Sequence, residues 1–105
     1  MIDNYMLYKN LPTIDLHGLD RTFAIIKVNE FIEDNHKLNN KLIILVHGKG
    51  NGILKNEIHK HLKTNKLVID YKIDLFNDGA TIVEIKWNKN LISFFYLFFL
   101  HFLLF

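Results

Sequence analysis

The sequence predicts an α/β protein of the α+β sandwich type, with the element order βαβαββ and a mixed four-stranded sheet that carries two helices. Two apolar runs each end in His-Gly and lead into an amphipathic segment, which is the pattern of a strand followed by a helix. Two later runs of apolar residues flank an Asn-Asp-Gly turn signal, as adjoining antiparallel strands do. Elements in this order form a helix-covered sheet.

The first strand and helix follow Pro12. Residues 14–17 are short and apolar on alternate sides, which predicts a strand. Asp20 is a suitable N-cap for a helix from Arg21 to about Leu38. Apolar residues recur along this helix at helical spacing, with charged residues on the opposite face. The residues expected to face the core are Ala24, Ile25, Val28, Phe31 and Ile32.

The second strand and helix lie on either side of a glycine-rich turn. Five consecutive apolar residues, Leu42 to Val46, are typical of a central strand that is covered on both faces. Residues 48–52 form the turn. The second helix is expected over 53–64, with an inward face made of Leu54, Ile58 and Leu62.

The last two strands are expected at residues 67–76 and 80–87, joined by a turn at Asn77-Asp78-Gly79. Alternation in the first of them places four residues on one face: Ile69, Tyr71, Ile73 and Leu75. Alternation in the second also groups four residues: Thr81, Val83, Ile85 and Trp87.

The length and composition indicate one folded domain. A chain of 105 residues, half of them hydrophobic, can bury a single core. We expect an N-terminal arm at 1–11, the folded domain at 12–88 and a hydrophobic tail at 89–105. The absence of cysteine excludes a disulfide scaffold and a thiolate metal site. Together with a start that lacks the pattern of a secretory signal, it favours a cytoplasmic protein.

The tail is almost entirely apolar. Between residues 91 and 105 only Ser93 and His101 are polar. Fifteen residues are fewer than the roughly 20 that a spanning helix needs. Three interpretations stay open: contact with a membrane through residues 91–105, a helix that covers the open face of the sheet, and an end without selected structure.

Positive charge is concentrated in the middle of the chain. Residues 36–66 contain seven lysines and one acid, Glu57, so this segment carries +6 while the whole chain carries +2. A basic region of this kind is a plausible surface for a polyanion. The alternative is a solvated, lysine-rich helix face.

Asp15 and His17 form the first candidate for chemistry. They lie two residues apart on an extended segment, so their side chains emerge on the same face. A carboxylate beside a histidine fixes which ring nitrogen carries the proton, as a general base requires. The alternative is that Asp15 caps a local backbone group and His17 packs at a strand end.

The loop from His47 to Gly52 is the second candidate. Three glycines in five residues allow backbone amides to approach a ligand, and the helix that follows presents its positive end. Lys49 adds a full charge. The spacing matches neither a phosphate-binding P-loop nor a dinucleotide fingerprint. The alternative is a tight strand-to-helix turn.

The other histidines are interpreted as surface residues. His59 and His61 lie two apart on the second helix and point in different directions, so they cannot chelate one metal. His36 is set aside similarly. A zinc site made of Asp15, His17 and His47 is a weak case, so no metal ligands are assigned.

Three motifs together resemble the Smr domain, the small MutS-related module. They are Ile14-Asp-Leu-His-Gly18, His47-Gly-Lys-Gly50 and Gly79-Ala-Thr81, in this order. The resemblance covers about Pro12 to Lys86, nearly the whole folded part, and the family member expected is a stand-alone one. It implies a fold similar to the C-terminal domain of translation initiation factor three, which agrees with the βαβαββ order.

The resemblance also implies binding of nucleic acid, and cleavage of RNA or nicking of DNA. The hypothesis is an endonuclease in which His17, oriented by Asp15, is the general base and His47 protonates the leaving oxygen. A divalent ion, Mg²⁺ or Mn²⁺, could take part. The alternative is a non-catalytic module that binds nucleic acid or the ribosome. The residues expected to bind phosphate are Gly18, Gly48, Lys49, Gly50, Gly52, Lys55, Gly79 and Thr81.

Overall fold

The computed structural model of the protein describes residues 10–104, and for residues 91–94 it describes the backbone alone. The predicted order βαβαββ is confirmed, and a third helix follows it. The N-terminal arm expected at 1–11 lies outside the described residues, except for Asn10 and Leu11. The elements are β1 (Thr13–Asp15), α1 (Arg21–Lys37), β2 (Leu42–Val46), α2 (Ile53–Thr64), β3 (Val68–Asp74), β4 (Asn77–Ile85) and α3 (Lys89–Leu104).

The four strands form one mixed sheet in the order β1-β2-β4-β3. β1 is parallel to β2, so the carboxyl ends of both strands reach the same edge. β4 is antiparallel to β2 and pairs Ala80 with Val46, which brings the start of β4 to that edge as well. Both segments that end in His-Gly therefore meet the Gly79–Thr81 segment at one edge of the sheet, called the cleft edge below.

The main core lies between one face of the sheet and the two helices α1 and α2. The predicted inward faces of both helices contribute to it. Its fully or almost fully buried members include Ile25, Val28, Ile32, Ile43, Leu45, Ile58, Leu62, Val83 and Ile85. Alternate residues of β2 and β4 point to the other face, where Leu42 and Ile82 form a smaller buried cluster.

α1 begins and ends close to its predicted residues. A carboxylate oxygen of Asp20 accepts hydrogen bonds from the backbone N–H groups of Thr22 and Phe23 at 3.1 and 3.3 Å. This capping satisfies two amides that the first turn leaves without helical partners. At the other end Asn39 adopts a positive φ of 58°, a conformation that stops a helix.

The turn between β3 and β4 differs from the prediction. It is formed by Leu75 and Phe76, and Asn77-Asp78-Gly79 is the start of β4. Side-chain oxygens on either side of the turn set this position: Asp74 accepts from the N–H of Phe76, and Asn77 accepts from the N–H of Gly79. Such side-chain to backbone hydrogen bonds stabilise a turn at one position, and the residue types alone do not specify that position.

The expected alternation along β3 and β4 also breaks at both ends. The pairing register shifts between Val68 and Asp70, so Ile69 lies at a bulge and is 56% exposed. Leu75 is in the turn and almost fully exposed. β4 ends at Ile85, so Trp87 lies beyond the strand, where the ammonium group of Lys41 stands 3.1 Å from its ring centroid.

The apolar tail forms α3. All ten side chains from residue 95 to residue 104 are exposed, so this part of the helix does not cover the sheet, and that interpretation of the tail is wrong. Within the part of the chain that the structure describes, no helix combines the length and apolar character needed to cross a membrane.

The contribution of the core is tested by a matched pair of strand substitutions. Ile43→Ala empties a fully buried position in β2 and should lower the free energy of unfolding by about 2–5 kcal/mol. Ile69→Ala, at the exposed bulge of β3, should change it by less than about 0.5 kcal/mol. Urea unfolding followed by circular dichroism measures both. Equal losses would contradict the described core.

Candidate functional site

A cleft of about 670 Å³ opens at the cleft edge of the sheet. Two continuous segments line it, His17–Arg21 between β1 and α1, and His47–Lys55 between β2 and the first turn of α2. The N-termini of both helices therefore border the cleft. The first-turn amides of α1 are already capped by Asp20, so it is the positive end of the α2 dipole that favours a negative ligand here. The structure brings together most of the residues that the motifs singled out.

Asp15 and His17 form a direct pair at the mouth of the cleft. Asp15 Oδ1 lies 2.5 Å from His17 Nδ1 and 3.1 Å from the backbone nitrogen of His17. Their side chains remain 58% and 68% exposed. Both hydrogen bonds favour the ionised carboxylate, and they lower the pKa of Asp15 below its ordinary value. The predicted pairing of these side chains is confirmed.

This pair fixes the tautomer of His17. A carboxylate can only accept, so the ring proton lies on Nδ1 when the imidazole is neutral. Nε2 then carries the free lone pair, on the side of the ring away from Asp15. His17 lines the cleft, so an exposed imidazole with a fixed proton position stands where a ligand would bind.

Positive charge surrounds the remaining walls. Arg21, Lys49 and Lys55 line the cleft. Lys49 also forms an exposed ion pair with Asp78, with 3.4 Å between Nζ and Oδ1. Asp20 is the one carboxylate among the lining residues that the structure describes, and its oxygen is occupied by the α1 cap. The cleft is therefore suited to an anion.

Residues 47–52, called the glycine loop below, pass close to neighbouring segments at two glycines, Gly48 and Gly79. A Cβ on Gly48, whose φ is +89°, would lie 3.2 Å from the Cβ of His17. A Cβ on Gly79 would lie 3.1 Å from both the carbonyl carbon of Gly48 and the Cγ of Lys49. The Gly79 carbonyl accepts hydrogen bonds from the N–H groups of His47 and Gly48, each at 2.9 Å. Gly79 thus holds the loop from behind.

His47 is buried rather than presented to the cleft. Only 4% of its surface is exposed, and both of its ring nitrogens have protein partners. Nδ1 lies 3.0 Å from the carbonyl oxygen of Gly48, and Nε2 lies 2.8 Å from the hydroxyl oxygen of Thr81. A carbonyl can only accept, so Nδ1 carries the proton and Nε2 accepts from Thr81.

A second histidine completes this buried group. His59 Nε2 lies 2.7 Å from the same Thr81 oxygen, and its ring packs 4.9 Å from the ring of Tyr71. The hydroxyl of Thr81 gives its one proton to His47, so it accepts from His59. A directed chain results, in which His59 donates to Thr81 and Thr81 donates to His47. We call these three residues the histidine–threonine chain.

Burial favours the neutral form of both rings. Desolvation lowers the pKa of His47 below 6.5, and the charge on Lys55 acts in the same direction, against the opposing hydrogen bond to Gly48. Desolvation is also the largest cause that lowers the pKa of His59, followed by the nearby His47 and Lys55. Neutral rings are what the chain of donors and acceptors requires.

Three sequence interpretations differ from the structure. His47, expected to protonate the leaving oxygen, is buried with both nitrogens engaged, which argues against that role. Gly79 and Thr81, expected to bind phosphate, lie behind the loop, and Thr81 is 0% exposed. His59, expected at the surface, is half-buried in the histidine–threonine chain.

Two residues belong to the site or its support although no motif singled them out, Arg21 and His59. Arg21 was assigned only as the first residue of a helix, although a cation in the first turn after a candidate site is a signal for anion binding. His59 lies three residues before Leu62 and next to Ile58, so it borders the buried face of α2. A polar residue at that border, opposite a threonine on a strand, is a signal for a buried hydrogen bond.

The remaining titratable residues do not extend the site. The His36 Nδ1 donates to the carbonyl oxygen of Lys86 at 2.9 Å, and His61 pairs with Glu57 on the surface of α2. Among the described residues, no three His, Cys, Asp or Glu side chains lie close enough together to hold a metal ion.

A family model for the Smr domain matches residues 14–86. That range begins at β1 and ends just after β4, so it contains all four strands, both core helices and the cleft. The chain belongs to the Smr domain family. The motifs that carried the resemblance are the segments that meet at the cleft edge.

Curated relatives of this Smr protein include bacterial proteins named Endonuclease MutS2. The one from Clostridium botulinum strain Eklund 17B is 41% identical over 76 residues, which is 70% of this chain and 10% of that protein. The one from Clostridium acetobutylicum is 36% identical over 77 residues, with the same coverage. The chain spans about a tenth of the length of the curated relatives it matches.

Solved Smr structures share the fold. The crystal structure of the Smr domain of Thermus thermophilus MutS2 superimposes with a TM-score of 0.70 at 28% identity, and covers 72% of this chain and 99% of that one. YdaL, a stand-alone small MutS-related protein from Escherichia coli, also gives 0.70, at 18% identity, over 81% of this chain and 74% of that one. The second likeness concerns the fold alone.

The histidine–threonine chain is tested by Thr81→Val, which keeps the shape of the side chain and removes the hydroxyl. His47 and His59 then lose their shared partner while they stay buried, so the free energy of unfolding should fall by about 1–3 kcal/mol. Thr81→Ser keeps the hydroxyl and serves as the control, with a smaller loss. Urea unfolding at pH 7.5 measures both. Equal stability of the Thr81→Val and wild-type proteins would contradict the hydrogen bonds of the histidine–threonine chain.

The lowered pKa values of His47 and His59 predict acid sensitivity. The unfolded chain takes up protons near the ordinary histidine pKa of about 6.5, whereas the folded chain takes them up only at lower pH. The contribution of these two histidines to the free energy of unfolding should therefore be at its full value above about pH 7, and it should decrease as the pH drops below 6.5. Urea unfolding at pH 7.5 and 5.5 measures the loss of stability. His59→Gln should make this loss smaller, whereas His61→Gln, the control, should leave it unchanged.

Proposed function

We propose that this Smr protein is an endonuclease that cleaves phosphodiester bonds of nucleic acid at the cleft edge. The observation that carries the proposal is the Asp15–His17 pair, exposed at the mouth of a cleft lined by cations and backbone amides. A phosphodiester backbone presents regularly spaced negative charges, and the cleft presents the complementary ones. A cytoplasmic location, expected from the composition, agrees with such a substrate.

His17 acts in the proposal as the general base. Asp15 holds the ring proton on Nδ1, so Nε2 is free to take a proton from a nucleophile in the cleft. The nucleophile is the 2′-hydroxyl in RNA or a water molecule in DNA. The carboxylate then faces the imidazolium that forms, and stabilises it. Attack on phosphorus gives a pentacovalent centre with one more negative charge than the substrate. The bond from phosphorus to the leaving oxygen then breaks, and that oxygen takes its proton from solvent or from the His17 imidazolium.

The cleft walls stabilise this added charge. Lys49, Lys55 and Arg21 supply full positive charges, and the positive end of the α2 dipole borders the same space. His47 takes a positioning role rather than the catalytic one expected from the sequence. It holds Gly48 through Nδ1 and is itself held by Thr81, so it keeps the loop in place.

The relatives support the proposal at the level of their names. The curated proteins that this chain matches are named Endonuclease MutS2, and the aligned region is about a tenth of their length. The Smr region of those proteins corresponds to this chain, so an endonuclease activity in this part of them would fall on the same cleft. Ribosome association remains a further proposal for the alternative, non-catalytic function.

The proposal is tested with a labelled single-stranded RNA and a supercoiled plasmid, each with Mg²⁺, with Mn²⁺ and with EDTA. His17→Ala removes the base and should lower the cleavage rate by about 10²-fold or more. Asp15→Asn should also lower it, because an amide does not fix the ring proton in the same way. His61→Ala, on the surface of α2 outside the cleft, is the matched control and should cleave at the wild-type rate.

Binding is measured on the same variants by fluorescence anisotropy at several salt concentrations. Lys49→Gln and Lys55→Gln should weaken binding and reduce its salt dependence, because each removes one phosphate contact. His17→Ala should bind as the wild type does. Binding without cleavage by the wild type, in every metal condition, would replace the endonuclease with a nucleic-acid-binding module. Unchanged cleavage by His17→Ala would refute the assigned base.

A further inference from the structure

α3 exposes a contiguous apolar surface, and exposure of so much apolar area to water is unfavourable. From Phe95 to Leu104 every side chain is exposed, and the large apolar ones among them have between 40% and 72% of their surface accessible. His101 is the one polar residue of this stretch, and Tyr96 adds a hydroxyl group to an otherwise apolar ring. Contiguous exposed apolar surface of this size marks an interaction site.

The distribution of apolar residues around α3 identifies what it contacts. Consecutive residues of a helix are 100° apart, so Phe95 to Phe98 already cover a whole turn, and Phe99, Leu100 and Phe102 continue on every side. A second helix or a second copy of the chain would cover one stripe and leave the others in water. A hydrocarbon phase covers all of them.

A basic groove lies at the base of α3. It has a volume of about 530 Å³ and is lined by Lys66, Lys86, Lys89 and His36, with no carboxylate among its described lining residues. It lies at the end of β4, and β4 runs antiparallel to β2, so the groove is at the edge of the sheet opposite the cleft. This arrangement is complementary to a layer of phosphate groups.

Trp87 lies at the boundary between the two surfaces. It lines the groove, it is 49% exposed, and only Asn88 separates it from Lys89, the first residue of α3. Tryptophan favours the interfacial zone of a bilayer, where its ring is partly in hydrocarbon and its N–H is hydrated. Ile69, exposed at the bulge of β3, adds apolar surface beside it.

We propose that this end of the molecule docks on a bilayer that contains anionic phospholipid. The lysines of the groove contact headgroup phosphates, Trp87 lies at the interface, and α3 enters the hydrocarbon. The 16 residues of α3 are about 24 Å long, so the helix reaches well into a hydrocarbon core of about 30 Å. The cleft, at the opposite edge of the sheet, stays open to solvent.

The test uses the full chain and its single tryptophan. Vesicles of phosphatidylcholine with an equal part of phosphatidylglycerol should float the protein in a density gradient and shift the Trp87 emission to shorter wavelength. Vesicles of phosphatidylcholine alone should bind it more weakly. Absence of flotation with both kinds of vesicle would overturn the proposal.

Two sets of variants separate the lipid contacts. Phe98→Glu with Phe102→Glu should abolish flotation, whereas Leu75→Glu, at an exposed leucine of the opposite edge, should not. Replacement of Lys66, Lys86 or Lys89 by Gln should lower partition into the anionic vesicles by about five-fold for each lysine. Lys60→Gln, on the exposed face of α2, is the matched control. Circular dichroism confirms that each variant is folded.

Three outcomes would contradict the inference. A blue-shifted emission without vesicles, with a dimer in sedimentation equilibrium, would assign α3 to a contact between copies. An emission shift with single-stranded RNA and none with vesicles would assign the groove to nucleic acid. Equal partition of the Lys86→Gln and Lys60→Gln variants would exclude the groove. Each result is independent of the endonuclease, whose activity is measured at the other edge.

Discussion

The contact between Gly79 and the glycine loop is the constraint on which the rest of the site depends. One carbonyl oxygen accepts the N–H groups of His47 and Gly48, and the absence of a side chain on Gly79 lets the two backbones approach. The approach fixes where β4 starts relative to β2. The loop also passes close to His17, since a Cβ added to Gly48 would lie 3.2 Å from the Cβ of that residue. Three segments far apart in the sequence are therefore held together at the cleft edge.

The sheet makes this arrangement possible and the buried histidines make it rigid. Parallel pairing of β1 and β2 delivers both His-Gly segments to the same edge, and the antiparallel β4 brings Thr81 beneath them. His47 then has no free nitrogen, because its ring is bonded to Gly48 on one side and to Thr81 on the other. The exposed Asp15–His17 pair thus stands in front of the loop, and these hydrogen-bonded side chains stand behind it.

The sequence predicted the order of elements, the bounds of α1, β2 and α2, and the Asp15–His17 pair, because each depends on local pattern. Hydrophobic periodicity and an N-cap are properties of neighbouring residues. The β3–β4 turn was misplaced because Asp74 and Asn77 side chains, rather than the residue types at 77–79, set its position. The burial of His47 and Thr81, and the half-buried position of His59, depend on contacts between distant segments that no local pattern contains. The family motif grouped His47 and Thr81 correctly, but motif membership does not tell a ligand contact from a support.

The histidine–threonine chain follows the rule that governs water molecules in ice: each link between two heavy atoms holds one proton. Two links and two protons give the chain one direction, from His59 through Thr81 to His47. An extra proton on His47 Nε2 would place two protons in one link, and the Thr81 hydroxyl would have to turn away from a buried partner. Both hydrogen bonds behind the glycine loop are therefore made only when His47 is neutral. The support of the loop, and with it the shape of the cleft, depends in this way on the pH of the surroundings.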